Sequence, residues 1–155
     1  MDYEVWSNTG KVIIELTTIY FAHPWIKRKQ TELLIDKMKK IGYEVFEPFS
    51  YEIVLTRKWF SGNGSFNICK EIVNKDINLI KKSDIVVASV PTYKTIGTIA
   101  EIFYAGYIKK KPVYILSNLG YYKKKHPWLY YAKIFNKEED LLKELEIING
   151  KEIKK

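Results

Sequence analysis

A chain of 155 residues, 46% hydrophobic and 15% aromatic, is long enough for one domain with a sizeable core and too apolar for a disordered chain. The formal net charge of +8 comes with no recognition motif for DNA or RNA, so the excess lysine reads as a solvated surface rather than a nucleic-acid footprint. No apolar run reaches the roughly 20 residues that span a bilayer, the leading MDYEVWSNTG is too acidic and polar for a signal peptide, and a single Cys69 excludes internal disulfides and cysteine-rich metal sites.

A soluble, cytoplasmic, single-domain protein over residues 1–155 is therefore expected. In chain order, Tyr3–Trp6 and Lys11–Leu16 flank a turn-prone Ser7–Gly10, so residues 1–16 read as a hairpin or an edge extension. Thr18–Ala22 is a short β-type run followed by His23, Pro24 and Trp25. Leu33, Leu34, Met38 and Ile41 share one face at helical spacing, which predicts a helix from Lys27 to about Ile41, ended by Gly42. Tyr43–Phe46 reads as a strand closed by Pro48. Residues 47–67 show little periodicity and carry Phe49, Tyr51, Trp59, Phe60 and Phe66; these aromatics either cover a substrate or pack on the core. A second helix is predicted from Ile68 to Lys82. Asp76 interrupts its apolar track Ile68, Ile72, Ile80. Such an acid is either paired or functional, or it lies exposed at the stripe's edge.

Ile85–Val90 is an apolar, β-branched run of the kind that forms a buried parallel strand. After Gly97, the positions Ile99, Ala100, Ile102, Phe103, Tyr107 and Ile108 predict a helix that Pro112 stops, and Val113–Leu116 is a second buried strand. Glu101 is placed in the first turn of that helix, just past a strand's carboxyl end, where open α/β sheets bind ligands. It serves either as a reactive carboxylate or as a solvated partner of the helix dipole. Trp128–Phe135 is a strand or an irregular segment. Asn136 and Glu139 resemble a capping box for a last amphipathic helix ended by Gly150, with 151–155 as a frayed tail. The alternation predicts an α/β fold: a flavodoxin-like, doubly wound, mainly parallel sheet of five strands in the order 2-1-3-4-5, with helices on both faces.

That order puts a crevice at the ends of the strands carrying Tyr20–Trp25 and Pro91–Gly97, where Tyr20, Asp76 and Glu101 converge. Neither GxGxxG nor GxxxxGK[ST] occurs, nor HExxH, nor GxSxG, and His23 and His126 are the only histidines. What remains is a carboxylate site with aromatic neighbours, which points to glycosyl chemistry.

Four blocks in register, TIYFAHPW at 18–25, NKDINLI at 74–80, SDIVV at 83–87 and GTIAEIFYA at 97–105, resemble the nucleoside 2-deoxyribosyltransferases over roughly Thr18 to Leu116. The resemblance implies that Glu101 attacks the anomeric carbon of a 2′-deoxynucleoside and that a deoxyribosyl ester forms. A second base then takes the sugar with retention. By the same resemblance Asp76 helps bind the deoxyribose, and Tyr20 hydrogen-bonds to the catalytic carboxylate. Ala22, His23, Trp25, Thr95, Gly97 and Asn118 are the expected substrate contacts, His23 being either a base or phosphate contact or a turn histidine without a role. No metal or organic cofactor is implied. Deoxynucleosides and free nucleobases are the implied partners, with no nucleic-acid polymer and no membrane, in a homo-oligomer (dimer or hexamer) with shared active sites. The Tyr121–Tyr131 aromatics either form that interface or pack on their own sheet.

Two departures stand out. The family often carries an aspartate six residues before the nucleophile, where this chain has Thr95, and an asparagine after a proline, where it has His126–Tyr131. Asn118 is the expected substitute for the latter. Related deoxynucleoside 5′-monophosphate N-hydrolases share the Tyr, Asp and Glu pattern, so hydrolysis is the alternative to transfer, and a non-catalytic nucleotide binder on the same fold is the third reading.

Overall fold

The computed structural model describes residues 3–7, 10–14, 17–24, 28–51, 61, 65–92, 95–119 and 127–152. Strands β1 (Tyr3–Ser7) and β2 (Gly10–Ile14) pair antiparallel as a hairpin, one of the two forms expected for the first residues. The main sheet comprises β3 (Thr18–Ala22), β4 (Glu44–Phe46), β5 (Ile85–Ser89), β6 (Val113–Leu116) and β7 (Ala132–Phe135). Its order is β4-β3-β5-β6-β7 with every pair parallel, which is the expected 2-1-3-4-5 arrangement for its five strands.

Successive side chains of a strand face opposite sides, so each central strand feeds two cores. On one side Ile19, Phe21, Ile85 and Val87 pack with Leu34 and Met38 of α1 (Arg28–Ile41) and Leu141 and Leu145 of α5 (Glu138–Glu152). On the other, Tyr20, Ala22, Val86 and Ala88 pack with Ile80 of α3 (Phe66–Lys82) and Ile102 of α4 (Ile96–Phe103). Burial on both faces explains why β3 and β5 read as continuous apolar runs. Each large side chain so buried contributes about 1.5–3 kcal/mol. The short α2 (Pro48–Tyr51) lies within the stretch expected to be irregular.

The register that matters for the site is set at the other end of the sheet. The Asp84 carboxylate accepts from the Thr18 backbone N–H and hydroxyl, both at 2.8 Å, while the Asp84 N–H donates to Thr18 O at 2.9 Å. This reciprocal clamp holds β3 against β5 with Tyr20 opposite Val86. A slip of one residue would turn Tyr20 to the opposite face.

Several boundaries differ from expectation. Helix α3 begins at Phe66, two residues early, because the Ser65 hydroxyl accepts from the Ile68 N–H at 3.4 Å and caps it. The segment expected to be strand or irregular is both: a 3-10 turn at Pro127–Leu129, then β7. Helix α5 starts at Glu138, where the Lys137 carbonyl accepts its first bond, so the Asn136–Glu139 spacing is one residue out of phase for a capping box. Gly150 does not end α5, which runs to Glu152; Gly42 is the glycine with positive φ among the described residues, as expected at the end of α1. Residues 153–155 lie outside the described residues.

Helix α4 holds the largest correction. It starts at Ile96, so Glu101 is its sixth residue and sits in the second turn, beyond the reach of the amino-terminal dipole that was to hold its charge. The helix then widens into a π-helix at Tyr104–Ile108, which a strictly 3.6-residue pattern does not anticipate. Among the described residues no helix is long and apolar enough to cross a membrane.

Candidate active site

The site is built around Tyr20. Its side chain leaves the middle of β3 toward α3 and α4 and is wholly buried. The phenol acts as a rigid spacer that delivers a hydroxyl to the far side of the core. That hydroxyl donates to Glu101 Oε1 at 3.0 Å. Burial of Thr98 and Ile102 fixes the rotation of α4 and leaves Glu101 half-buried. A hydrogen bond to an ionised carboxylate is about twice as strong as a neutral one. The carboxylate that the helix dipole does not serve is therefore served by the strand tyrosine.

Asp76 enters from α3, where it replaces an apolar residue in the stripe that packs on the sheet. Burial pushes its carboxyl up from the ordinary 3.8 to about 6, and a hydrogen bond from the nearby Tyr20 hydroxyl works in the opposite direction. Asp76 Oδ1 is buried and has no hydrogen-bond partner among the described residues. Leaving a buried acceptor unpaired costs about 1–3 kcal/mol, so this oxygen is suited to accept from a ligand or a water molecule. The Tyr20 hydroxyl has one proton for two carboxyl groups. That proton lies within reach of both acids, and for Asp76 burial outweighs it.

The other expected site residues are placed unequally. Ala22 is buried in β3 beside the same core. Thr95 is buried at the start of α4, with its hydroxyl donating to the Thr92 carbonyl at 3.4 Å and no side-chain cap to the helix. Gly97 is exposed, with open space where a Cβ would point. Asn118 is exposed just beyond β6, where Ser117 turns inward to donate to the Val90 carbonyl at 2.7 Å. Trp25 lies outside the described residues. His23 is buried and faces the opposite layer, where Nε2 lies 3.0 Å from Glu47 Oε1. No sequence pattern singles out Glu47, since a lone acid after a three-residue strand carries no periodic signal. The structure thus brings Tyr20, Glu101 and Asp76 together and turns His23 away from them.

No group of three or more His, Cys, Asp or Glu side chains among the described residues could hold a metal ion. A groove lined by Lys37, Lys40, Ile41, Leu142, Glu146 and Asn149 opens between α1 and α5. It lies on the opposite layer of the sheet from Tyr20 and Glu101, so it is no part of this site.

No protein-family model and no curated protein matches the chain. Solved structures do. A 2-deoxyribosyltransferase of Bacillus psychrosaccharolyticus is similar at TM-score 0.64 and 23% identity, over 81% of this chain and 90% of that one. A conserved protein of Enterococcus faecalis V583 is similar at TM-score 0.60 and 19% identity, over 86% and 99% of the two chains. A CMP N-glycosidase of Clostridium botulinum is similar at TM-score 0.52 and 22% identity, over 84% and 99%. The shared property is the fold. The coverage means that the five-stranded sheet and its flanking helices, rather than one βαβ unit, carry the likeness.

Proposed function

We propose that this protein is a nucleoside 2-deoxyribosyltransferase in which Glu101 is the nucleophile. The observation that carries the reading is the Tyr20–Glu101 hydrogen bond at 3.0 Å, made beside a second half-buried acid, Asp76, whose buried Oδ1 has no partner among the described residues. The resemblance of the four sequence blocks and the fold shared with a 2-deoxyribosyltransferase and a CMP N-glycosidase support it.

In this reading the Glu101 carboxylate attacks the anomeric carbon of a 2′-deoxynucleoside. The carbon–nitrogen bond breaks, its electron pair stays with the departing base, and the base takes up a proton. The sugar passes through an oxocarbenium-like state that a carboxylate is suited to capture, as in retaining glycosidases. A nitrogen of a second base then attacks the same carbon, the ester bond breaks, Glu101 is regenerated, and the incoming base loses its proton. Two inversions give retention. Tyr20 holds Oε1 and so fixes the direction from which the carboxylate approaches. Asp76 offers Oδ1 to a sugar hydroxyl, exchanging an unpaired acceptor for a paired one. Everything this chemistry asks of the protein comes from side chains, with no metal or organic cofactor. A homo-oligomer is part of the proposal, supported by the exposed Ile96 and Tyr107 on α4 and its π-helical continuation and by the exposed Trp128 of the 3-10 turn, whose ring lies 6.0 Å from that of Phe103.

One observation favours hydrolysis instead. Thr95, six residues before Glu101, is buried and bonded to Thr92, so no carboxylate stands there to exchange protons with an acceptor base. The deciding experiment incubates the protein with thymidine, deoxyinosine and their 5′-monophosphates, with and without adenine, and separates the products by chromatography. Deoxyadenosine formed only in the presence of adenine supports transfer. Base release regardless of adenine replaces transfer by hydrolysis, and no product in any mixture leaves a binder.

A further inference from the structure

Glu47 and His23 form the one described ion pair in which both side chains are buried, and neither has a part in the mechanism above. His23 directly follows β3 and Glu47 directly follows β4, so the pair joins the carboxyl ends of two adjacent parallel strands. His23 Nε2 meets Glu47 Oε1 at 3.0 Å, and its Nδ1 lies 3.3 Å from the Pro24 carbonyl and 3.4 Å from the Thr31 hydroxyl of α1. The Phe21 ring lies against the imidazole and the Phe49 ring of α2 meets it edge-on, each at 5.1 Å between centroids. Three elements, β3, α1 and α2, and the residue that follows β4 therefore converge on one ring.

Stability alone explains such a pair poorly. Desolvating two opposite charges costs as much as their attraction returns, and apolar replacements of similar volume are often at least as stable. The hydrogen bonding points elsewhere. As an imidazolium, the ring donates to Glu47 and to the Pro24 carbonyl; as a neutral imidazole, it donates to Glu47 and accepts from Thr31. The ring is satisfied in both forms, which suits a strut and not a proton donor to substrate. We propose that His23 and Glu47 are positioning residues for the candidate site: from the opposite layer they strap the chain leaving β3 to the chain leaving β4, and so hold the carboxyl end of the strand that carries Tyr20. This rests on the glycosyl-transfer reading and adds to it a part of the substrate-holding machinery that never touches the reacting atoms.

The test is steady-state kinetics on the full chain, with wild type, Glu47→Ala and Glu47→Gln, each checked for a cooperative thermal transition. A strut that holds this strand end governs binding of ground and transition states alike. Glu47→Ala should then raise KM about tenfold with kcat within about threefold, and Glu47→Gln, which keeps an acceptor for Nε2–H, should raise KM only about threefold. Unchanged KM in folded Glu47→Ala overturns the proposal, as does a fall in kcat at constant KM. Should Glu47→Ala not fold, Glu47→Gln decides: a KM equal to wild type overturns it. Wild type without turnover on any nucleoside or nucleotide defeats the glycosyl reading and the strut with it, whereas active wild type with indifferent variants defeats the strut alone.

Discussion

Tyr20 donates its hydroxyl proton to Glu101 Oε1 at 3.0 Å across 81 positions of sequence, and the same hydroxyl lies beside Asp76. One donor hydroxyl thus faces both acids, and burial rather than that hydroxyl dominates at Asp76. Most of what this site is expected to do follows from that arrangement.

Tyr20→Phe removes the hydroxyl and keeps the ring, so the core should survive. Losing a hydrogen bond to a charged group costs about 1.5–3 kcal/mol. If that bond aims the nucleophile, kcat should fall roughly ten- to a hundredfold with a smaller change in KM, because the loss is felt most in the transition state. Equal kinetics for the variant and wild type would remove Tyr20 from the mechanism.

Asp76→Asn should separate stability from function. The native carboxyl titrates at about 6 against an ordinary 3.8, so between those values the folded state holds a proton that the unfolded state has lost. Stability contributed by the protonated form is complete below the unfolded value and is lost as pH rises through about 6. At pH 8 the ionised group is therefore a burden of at most about 3 kcal/mol. Thermal melts should show Asp76→Asn more stable than wild type at pH 8 and converging with it near pH 4, while turnover falls. A variant less stable than wild type at pH 8 would contradict the burial argument.

The same titration predicts an acid limb in binding. Below about pH 6 Asp76 gains a proton and loses acceptor capacity toward a sugar hydroxyl, so KM should rise as pH falls through that value. The limb should vanish in Asp76→Asn. Its persistence in that variant would assign it to another group.

Two glycines of the α4 region should respond in opposite ways. A Cβ at Gly106 would stand 2.2 Å from ring carbons of Tyr131 and 3.1 Å from Val113, in the π-helical turn after α4. Gly106→Ala should destabilise by about 1–3 kcal/mol or more through overpacking. At Gly97, on the second residue of α4, a Cβ meets nothing within 4 Å, so Gly97→Ala should be neutral or stabilising by up to about 1 kcal/mol. If substrate approaches that open face, its KM should rise even so. Denaturant midpoints and KM values, read together, separate the two effects.

The sheet was legible because its central strands are buried on both faces and so appear as β-branched runs, and the strand order followed from the alternation with helices. The register was not, because it rests on the Asp84–Thr18 clamp, a contact over 66 positions that no local pattern encodes. Asp76 was visible as an acid within an apolar stripe. Glu101 was visible too, but its expected partner was the helix dipole; the start of α4 at Ile96 moves it out of that field, and its Oε1 accepts instead from Tyr20. His23 was noticed for its place in a motif, and its actual partner Glu47 was not, since short strands and their exits carry no periodicity. The π-helix after Glu101 differs from an α-helix by a single residue per turn, too little for a pattern of apolar positions to reveal.

The most direct test of the central claim is mass spectrometry of protein quenched in acid during turnover of a deoxynucleoside, followed by digestion. The account predicts a deoxyribosyl ester on Glu101, absent when Glu101→Gln is treated in the same way. Turnover without an adduct on that residue, or undiminished turnover by Glu101→Gln, would contradict it.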